Sequence, residues 1–193
     1  MATENLLTYT EVDPNLKITV TATRVSWADL TDDETAYVYK DKGAAYFSGD
    51  FAYYLALHTT SNGKGGLHLG VLANHIGTYT SGQDALFLDR NGQYIRVCEQ
   101  DGVNFYGSSF YSLANGTIYY LKVVRDETVG AFGTIYLYIY SDAARTILLT
   151  TLSLALHTSK KDFRYIYALS NLDFNQPTQT GTGYVENLEI TNA

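Results

Sequence analysis

The chain has 193 residues, a net charge of −7 and 17% charged residues, which suits one domain large enough to bury a core without cross-links. Its single cysteine, Cys98, excludes an intrachain disulfide, and no apolar run has the length of a membrane-spanning helix. The acidic residues are scattered and no basic stripe is present, which argues against a nucleic-acid partner.

The opening MATENLLTYTEVD has neither a basic nor an apolar leader region, so no signal peptide is expected. That leaves a cytoplasmic protein, a virion protein or an excised extracellular domain. Residues 1–5 are expected to be loose. The first alternating run, Leu6–Glu11, ends in Glu11-Val12-Asp13-Pro14, and a second covers Lys17–Ala22. A third, Ala36–Lys40, leads into DKGAAYFSGD. There Asp41 and Asp50, with the carbonyls between them, are candidate calcium ligands.

Phe51–Thr59 and Leu67–Leu72 flank SNGKGG and read as a hairpin centred on Gly63. This register sets Leu55 opposite Val71 and Leu57 opposite Leu69 on an apolar face. Tyr54, Ala56 and His58 then meet Leu72, Gly70 and His68 on the other. The two imidazoles face each other, but zinc wants a third protein ligand and none is near in sequence. GKGG lacks the spacing of a phosphate loop. Ala85–Asp89 and Gln93–Glu99 form a second hairpin through Asn91-Gly92, a strong turn signal. It pairs Leu88 with Ile95 and Leu86 with Val97, and sets Phe87 opposite Arg96 and Asp89 opposite Tyr94. Cys98 reads as a buried or half-buried thiol. Val103–Tyr106 follows.

Ile118–Arg125 and Thr134–Tyr140 form a third hairpin through DETVGAFG. Leu121 and Val123 meet Leu137 and Ile135, and Tyr120 and Lys122 lie beside Tyr138 and Tyr136. The stretch GTIYLYIYSD sorts Ile135, Leu137 and Ile139 to one face and Tyr136, Tyr138 and Tyr140 to the other, because side chains alternate along a strand. Ala143–Leu156 is a poor helix because of Thr150, Thr151 and Ser153, and Ile147–Leu152 reads as a strand. Tyr165–Ser170 and Tyr184–Ile190 complete the set. The fold class is all-β, an antiparallel β-sandwich, with its first and last strands expected side by side in one sheet.

The words YYLKVVRD and IYLYIYSD, within Ile118–Thr150, and the closing GYVENLEI, Gly183–Ile190, resemble the concanavalin A-like lectin and glucanase superfamily, including laminin-G-like jelly rolls. SDAAR departs from the glycine turn more usual there. The resemblance implies two curved antiparallel sheets. Carbohydrate is usually bound on the concave face or by rim loops, and calcium is frequent but not universal. Glucanases of this superfamily carry an E-x-D-x-x-E strand, and glycosidases need a carboxyl pair. Here Glu11/Asp13 is cut short by Pro14 and Glu99/Asp101 by Gly102, so both read as solvated strand-end acids. Glu186 and Glu189 point opposite ways in a regular strand.

The expectation is a non-catalytic carbohydrate-binding module, with aromatic rings stacking on sugars and polar groups bonding the hydroxyls. Candidate ligand residues are Tyr54, His58, His68, Phe87, Asp89, Tyr94, Arg96, Tyr120, Lys122, Tyr136 and Tyr138. No cofactor is expected, with calcium left open. One alternative is a structural or adhesive domain of a virion or large surface protein, which would contact other domains of an assembly. A polysaccharide hydrolase or lyase is disfavoured by the missing carboxylate strand.

Overall fold

The structure, a computed structural model, describes residues 2–63, 65–77, 82–172 and 175–192, with the backbone alone at 62, 176, 177 and 192. After a single 3-10 turn at Leu6–Thr8, the strands follow in chain order. They are β1 (Thr10–Val12), β2 (Ile18–Val20), β3 (Arg24–Asp32), β4 (Ala36–Asp41), β5 (Phe51–Asn62), β6 (Leu67–Ala73), β7 (Ala85–Asn91) and β8 (Tyr94–Asp101). The rest are β9 (Asn104–Gly107), β10 (Tyr111–Ser112), β11 (Ile118–Asp126), β12 (Thr134–Tyr140), β13 (Leu148–Ala155), β14 (Tyr165–Asn171) and β15 (Gln176–Asn192). A seven-stranded sheet has the order β13-β12-β11-β5-β15-β3-β2. An eight-stranded sheet has the order β1-β4-β14-β6-β7-β8-β10, with β9 also on β8.

The aliphatic rows face each other between the sheets. Leu55, Leu57, Leu121, Val123, Leu137 and Ile139 meet Leu69, Leu86, Leu88, Val97 and Ile166 in one buried cluster. Each such side chain contributes about 1.5–3 kcal/mol on burial. Arg125, also buried, closes one margin of this core. Its guanidinium donates to the carbonyls of Gly49 (2.6 Å), Phe47 (3.1 Å) and Lys161. It also lies over the Phe51 ring. The loop before β5 is thereby tied down.

Four pairings differ from the sequence reading. The SNGKGG segment is not a hairpin. β5 pairs with β11 and β15, and β6 with β14 and β7, so the chain crosses from one sheet to the other. Leu55 stands opposite Leu121 and not Val71. Leu55 and Leu57 face the core from one sheet and Leu69 from the other, while Val71 does not face it, and alternation alone does not distinguish a hairpin from an arch. The other two hairpins form, each with its register moved by two residues. Leu88 meets Val97 and Asp89 meets Arg96. Leu121 meets Ile139, and Lys122 meets Tyr138. In the first of these the turn is Gly92-Gln93, with Gly92 at φ 56°, where glycine carries no Cβ penalty. The shift also brings Asp89 and Arg96 together as an ion pair. A two-residue shift leaves every side chain on its assigned face.

The first and last strands are not neighbours. β1 pairs with β4 in the eight-stranded sheet, while β15 pairs with β3 and β5 in the other. Among the described residues, the bridge of Thr3 to Glu189, with the Glu4 N–H donating to the Leu188 carbonyl at 2.7 Å, brings the chain start to β15. The sequence reading also missed β3. Asp29 sits at φ 49°, which breaks the alternation, so that Ala28 and Asp29 are both exposed between buried Trp27 and Leu30.

Val71 is buried but lies on the far face of its sheet. Gly70, at φ 55°, sits where the β6–β7 register slips between Leu69 and Leu72. The slip reverses which face the following residues take. Gly70 also meets Tyr53, whose hydroxyl donates to its carbonyl at 2.9 Å. A Cβ at this position would lie 2.6 Å from the Tyr53 ring.

Candidate functional site

The eleven candidate residues divide between two surfaces on opposite sides of the sandwich. His68, Phe87, Asp89, Tyr94 and Arg96 lie on the outer face of the eight-stranded sheet. Tyr54, His58, Tyr120, Lys122, Tyr136 and Tyr138 lie on the outer face of the seven-stranded sheet. His58 and His68 are therefore in different sheets: His58 stands opposite Tyr184 and Ile118, and His68 opposite Asp89 and Ser170.

The outer face of the eight-stranded sheet is unusually enclosed. Val71, Ala73, Ala85, Phe87, Cys98, Tyr165 and Tyr167 form a second buried cluster, separate from the inter-sheet core, with Tyr37 and Tyr39 packed against it. Four tyrosines from two adjacent strands make its aromatic floor. Tyr39 stacks on Tyr167 at 5.5 Å between ring centroids, meets Tyr165 edge-on at 6.0 Å and lies 5.8 Å from Tyr37. The Tyr167 hydroxyl donates to the carbonyl of His75 at 2.7 Å. Burial pushes this phenol's pKa well above the ordinary range, so it stays protonated.

The charged end of this face is built from β7 and β8. The Asp89 carboxylate accepts from Nε of Arg96 at 3.0 Å, and its other oxygen lies 3.9 Å from Nε2 of His68. The Arg96 guanidinium spreads over Phe110 (4.4 Å) and Phe105 (4.9 Å), and Tyr94 meets Phe110 edge-on at 5.7 Å. Gly107 leaves room for this arrangement, since a Cβ there would come within 2.9 Å of the guanidinium. His68 packs on Phe87 at 4.4 Å. Tyr94, Phe105 and Phe110 are exposed. Cys98 is buried below them, and burial raises its pKa far above that of a nucleophilic thiol.

Sequence reasoning missed Tyr37, Tyr39, Tyr165 and Tyr167. The signal was present, because YVYK and YIYA alternate as IYLYIY does. Without the knowledge that β4 and β14 are neighbours, two tyrosines per strand do not stand out.

The outer face of the seven-stranded sheet is more open. Tyr54, Tyr120, Lys122, Tyr136, Tyr138 and Tyr140 are all half-buried. Tyr136 and Tyr138 lie 6.2 Å apart. Toward β15, His58 stacks on Tyr184 at 4.9 Å, and Arg24 lies over the same ring at 4.0 Å while paired with Glu186 at 2.6 Å.

Glu99, Asp101, Asp41 and Asp50 are held in local contacts. Glu99 is not solvated, as the sequence reading had it, but fully buried. It accepts from Lys161 Nζ (2.9 Å) and from the backbone N–H of His157 (2.9 Å), with His157 Nδ1 also at 2.9 Å. Lys161 also pairs with Asp101 at 3.1 Å, and the His157 ring stacks on Tyr106 at 3.6 Å. This cluster anchors the segment after β13 against β8. Asp41 forms a two-pronged pair with Arg164 (2.7 and 2.9 Å), which holds its carboxyl at about 2. Asp50 accepts from the Glu127 N–H at 2.7 Å. Among the described residues, no three His, Cys, Asp or Glu side chains gather to hold a metal ion.

No protein-family model matches the chain, and no curated protein matches it in sequence. Solved structures do resemble it. The exoplasmic/lumenal domain of VIP36, in its metal-free form, is 11% identical with a TM-score of 0.62, over 96% of this chain and 84% of that one. The legume lectin-like domain from Entamoeba histolytica is 13% identical with a TM-score of 0.60, over 97% and 91%. The alginate lyase Aly36B is 15% identical with a TM-score of 0.59, over 97% and 87%. With its two-sheet antiparallel sandwich, the chain has the concanavalin A-like jelly-roll fold that these lectin-like domains and lyases share.

Proposed function

We propose that this protein binds an oligo- or polysaccharide, without cleaving it, along the outer face of the eight-stranded sheet. The observation that carries this reading is the second enclosed cluster. It is a face turned away from the core, floored by Tyr37, Tyr39, Tyr165 and Tyr167, and ending in Arg96 between Phe105 and Phe110. The half-buried Tyr37 and Tyr39 and the exposed Phe105 and Phe110 suit the C–H surfaces of sugar rings, and Arg96, held by the buried Asp89, supplies donors for hydroxyls. The fold supports the same reading, since solved structures of VIP36 with mannose share it.

The test is glycan-array binding of the wild type beside Phe105→Ala and Phe110→Ala. Both rings are exposed, so the thermal melt should hold. Affinity for the retained glycan should fall about tenfold, which corresponds to ~1.4 kcal/mol. Unchanged affinity in both variants would remove the charged end of this face from the site.

One observation favours a second reading, a polysaccharide lyase. His68 beside Asp89 lies on the same face as four tyrosines, and imidazole and phenol are groups that move protons. Release of unsaturated oligosaccharides from alginate or polyglucuronate would select this reading over simple binding.

A further inference from the structure

We propose that the outer face of the seven-stranded sheet is a second saccharide site, selective for anionic sugar chains, in which Lys122 and Arg145 engage carboxylate or sulfate groups and Tyr54 and Tyr138 stack on the rings. It is independent of the site on the opposite sheet. Lys122 stands mid-strand on β11, between Tyr54 of β5 and Tyr138 of β12. Its ammonium lies 5.4 Å from the Tyr138 ring centroid and 5.9 Å from that of Tyr54. Arg145 comes from the β12–β13 turn and places its guanidinium 4.9 Å over the Tyr54 ring. Two cations thus flank one half-buried phenol.

The turn is built to present Arg145. The Asp142 carboxylate accepts from the N–H groups of Thr146 (3.0 Å) and Ile147 (2.7 Å) and from the Thr146 hydroxyl (2.9 Å). Arg145 itself sits at φ 56°, a conformation that favours glycine.

What points to a ligand is the unspent hydrogen-bonding capacity. Among the described residues, neither cation has a carboxylate partner, and neither donates a hydrogen bond. Nε of Arg145 is shut off from solvent without a partner. Of the neighbouring acids, Glu186 is paired with Arg24, Asp142 is bonded within the turn, and Glu189 lies in register with Tyr54. Rings attract a cation without satisfying its N–H groups, so the Lys122 ammonium and the terminal guanidinium nitrogens of Arg145, unlike its enclosed Nε, remain available to an anion. Tyr120, Tyr136 and Tyr140 continue the surface with phenol hydroxyls. Two cations match a sugar chain with one anionic group per residue, whereas a nucleic acid would need a longer row of phosphate contacts.

The experiment titrates immobilised wild-type protein with dextran sulfate, polygalacturonate, unsubstituted dextran and duplex DNA at two salt concentrations. Dextran sulfate and polygalacturonate distinguish a sulfate from a carboxylate source. The variants are Lys122→Gln and Arg145→Gly, the latter chosen because glycine accepts the turn's φ. The expected result is that at least one sugar polyanion binds and plain dextran does not. Binding weakens with salt, falls at least tenfold in each variant at an unchanged melt, and is unaffected by Phe110→Ala. The proposal is overturned if neither polyanion binds, if dextran binds equally well, if duplex DNA is preferred, or if both variants bind as the wild type does.

Discussion

Single residues hold this structure at places where alternation fails. Gly70 is one, because the bulge needs its left-handed backbone and Tyr53 leaves no room for a Cβ. Gly70→Ala should cost roughly 2–4 kcal/mol in denaturant unfolding, the sum of backbone strain and overpacking. A loss under half of that would mean that Tyr53 can move aside. Glu34 is another. Its side chain is almost wholly buried and accepts from Asn15, from Lys17 Nζ (2.9 Å) and from the N–H (2.7 Å) and hydroxyl (2.9 Å) of Thr31. Burial alone would raise its pKa, but these hydrogen bonds outweigh it and hold the carboxyl at about 2, below its ordinary 4.5. A depressed folded pKa stabilises above the unfolded value, and that stability is lost as pH falls through the folded one. The melting difference between wild type and Glu34→Gln should therefore be full above pH 4.5 and shrink towards pH 2. A difference independent of pH over that window would show that the carboxylate charge is not what stabilises the site.

At the scale of elements, β12 tests the assignment of faces. Leu137 is fully buried in the inter-sheet core while Tyr136 and Tyr138 are half-buried outside it. Leu137→Ala should cost about 2–5 kcal/mol. The Tyr136→Ala, Tyr138→Ala double variant should melt within a few degrees of the wild type, and a collapse of that melt would place these rings in a core. The faces of β5, β7, β8, β11 and β12 were legible in the sequence because a period of two survives a register error of two. Which strands pair was less legible. SNGKGG has the composition of a hairpin turn, yet the chain uses it to cross between sheets, and local sequence records the turn but not the partner. β3 and the far-face placement of Val71 were hidden by bulges at Asp29 and Gly70, which interrupt the pattern from which strands are read.

Across the whole molecule, the aromatic faces lie on opposite sheets. Five of the candidate residues share one outer face with four tyrosines that chain order scatters between β4 and β14, and six share the other. Sequence alternation identified the outward-facing side chains but not which sheet each belongs to, since that follows from long-range pairing. The central claim is that sugar lies on the enclosed face of the eight-stranded sheet. The most direct measurement is an NMR titration of the aromatic-labelled protein with an oligosaccharide retained on a glycan array. The account predicts that shifts concentrate at Tyr37, Tyr39, Phe105 and Phe110. Shifts confined to Tyr54, Tyr136 and Tyr138, or found on neither face, would contradict it.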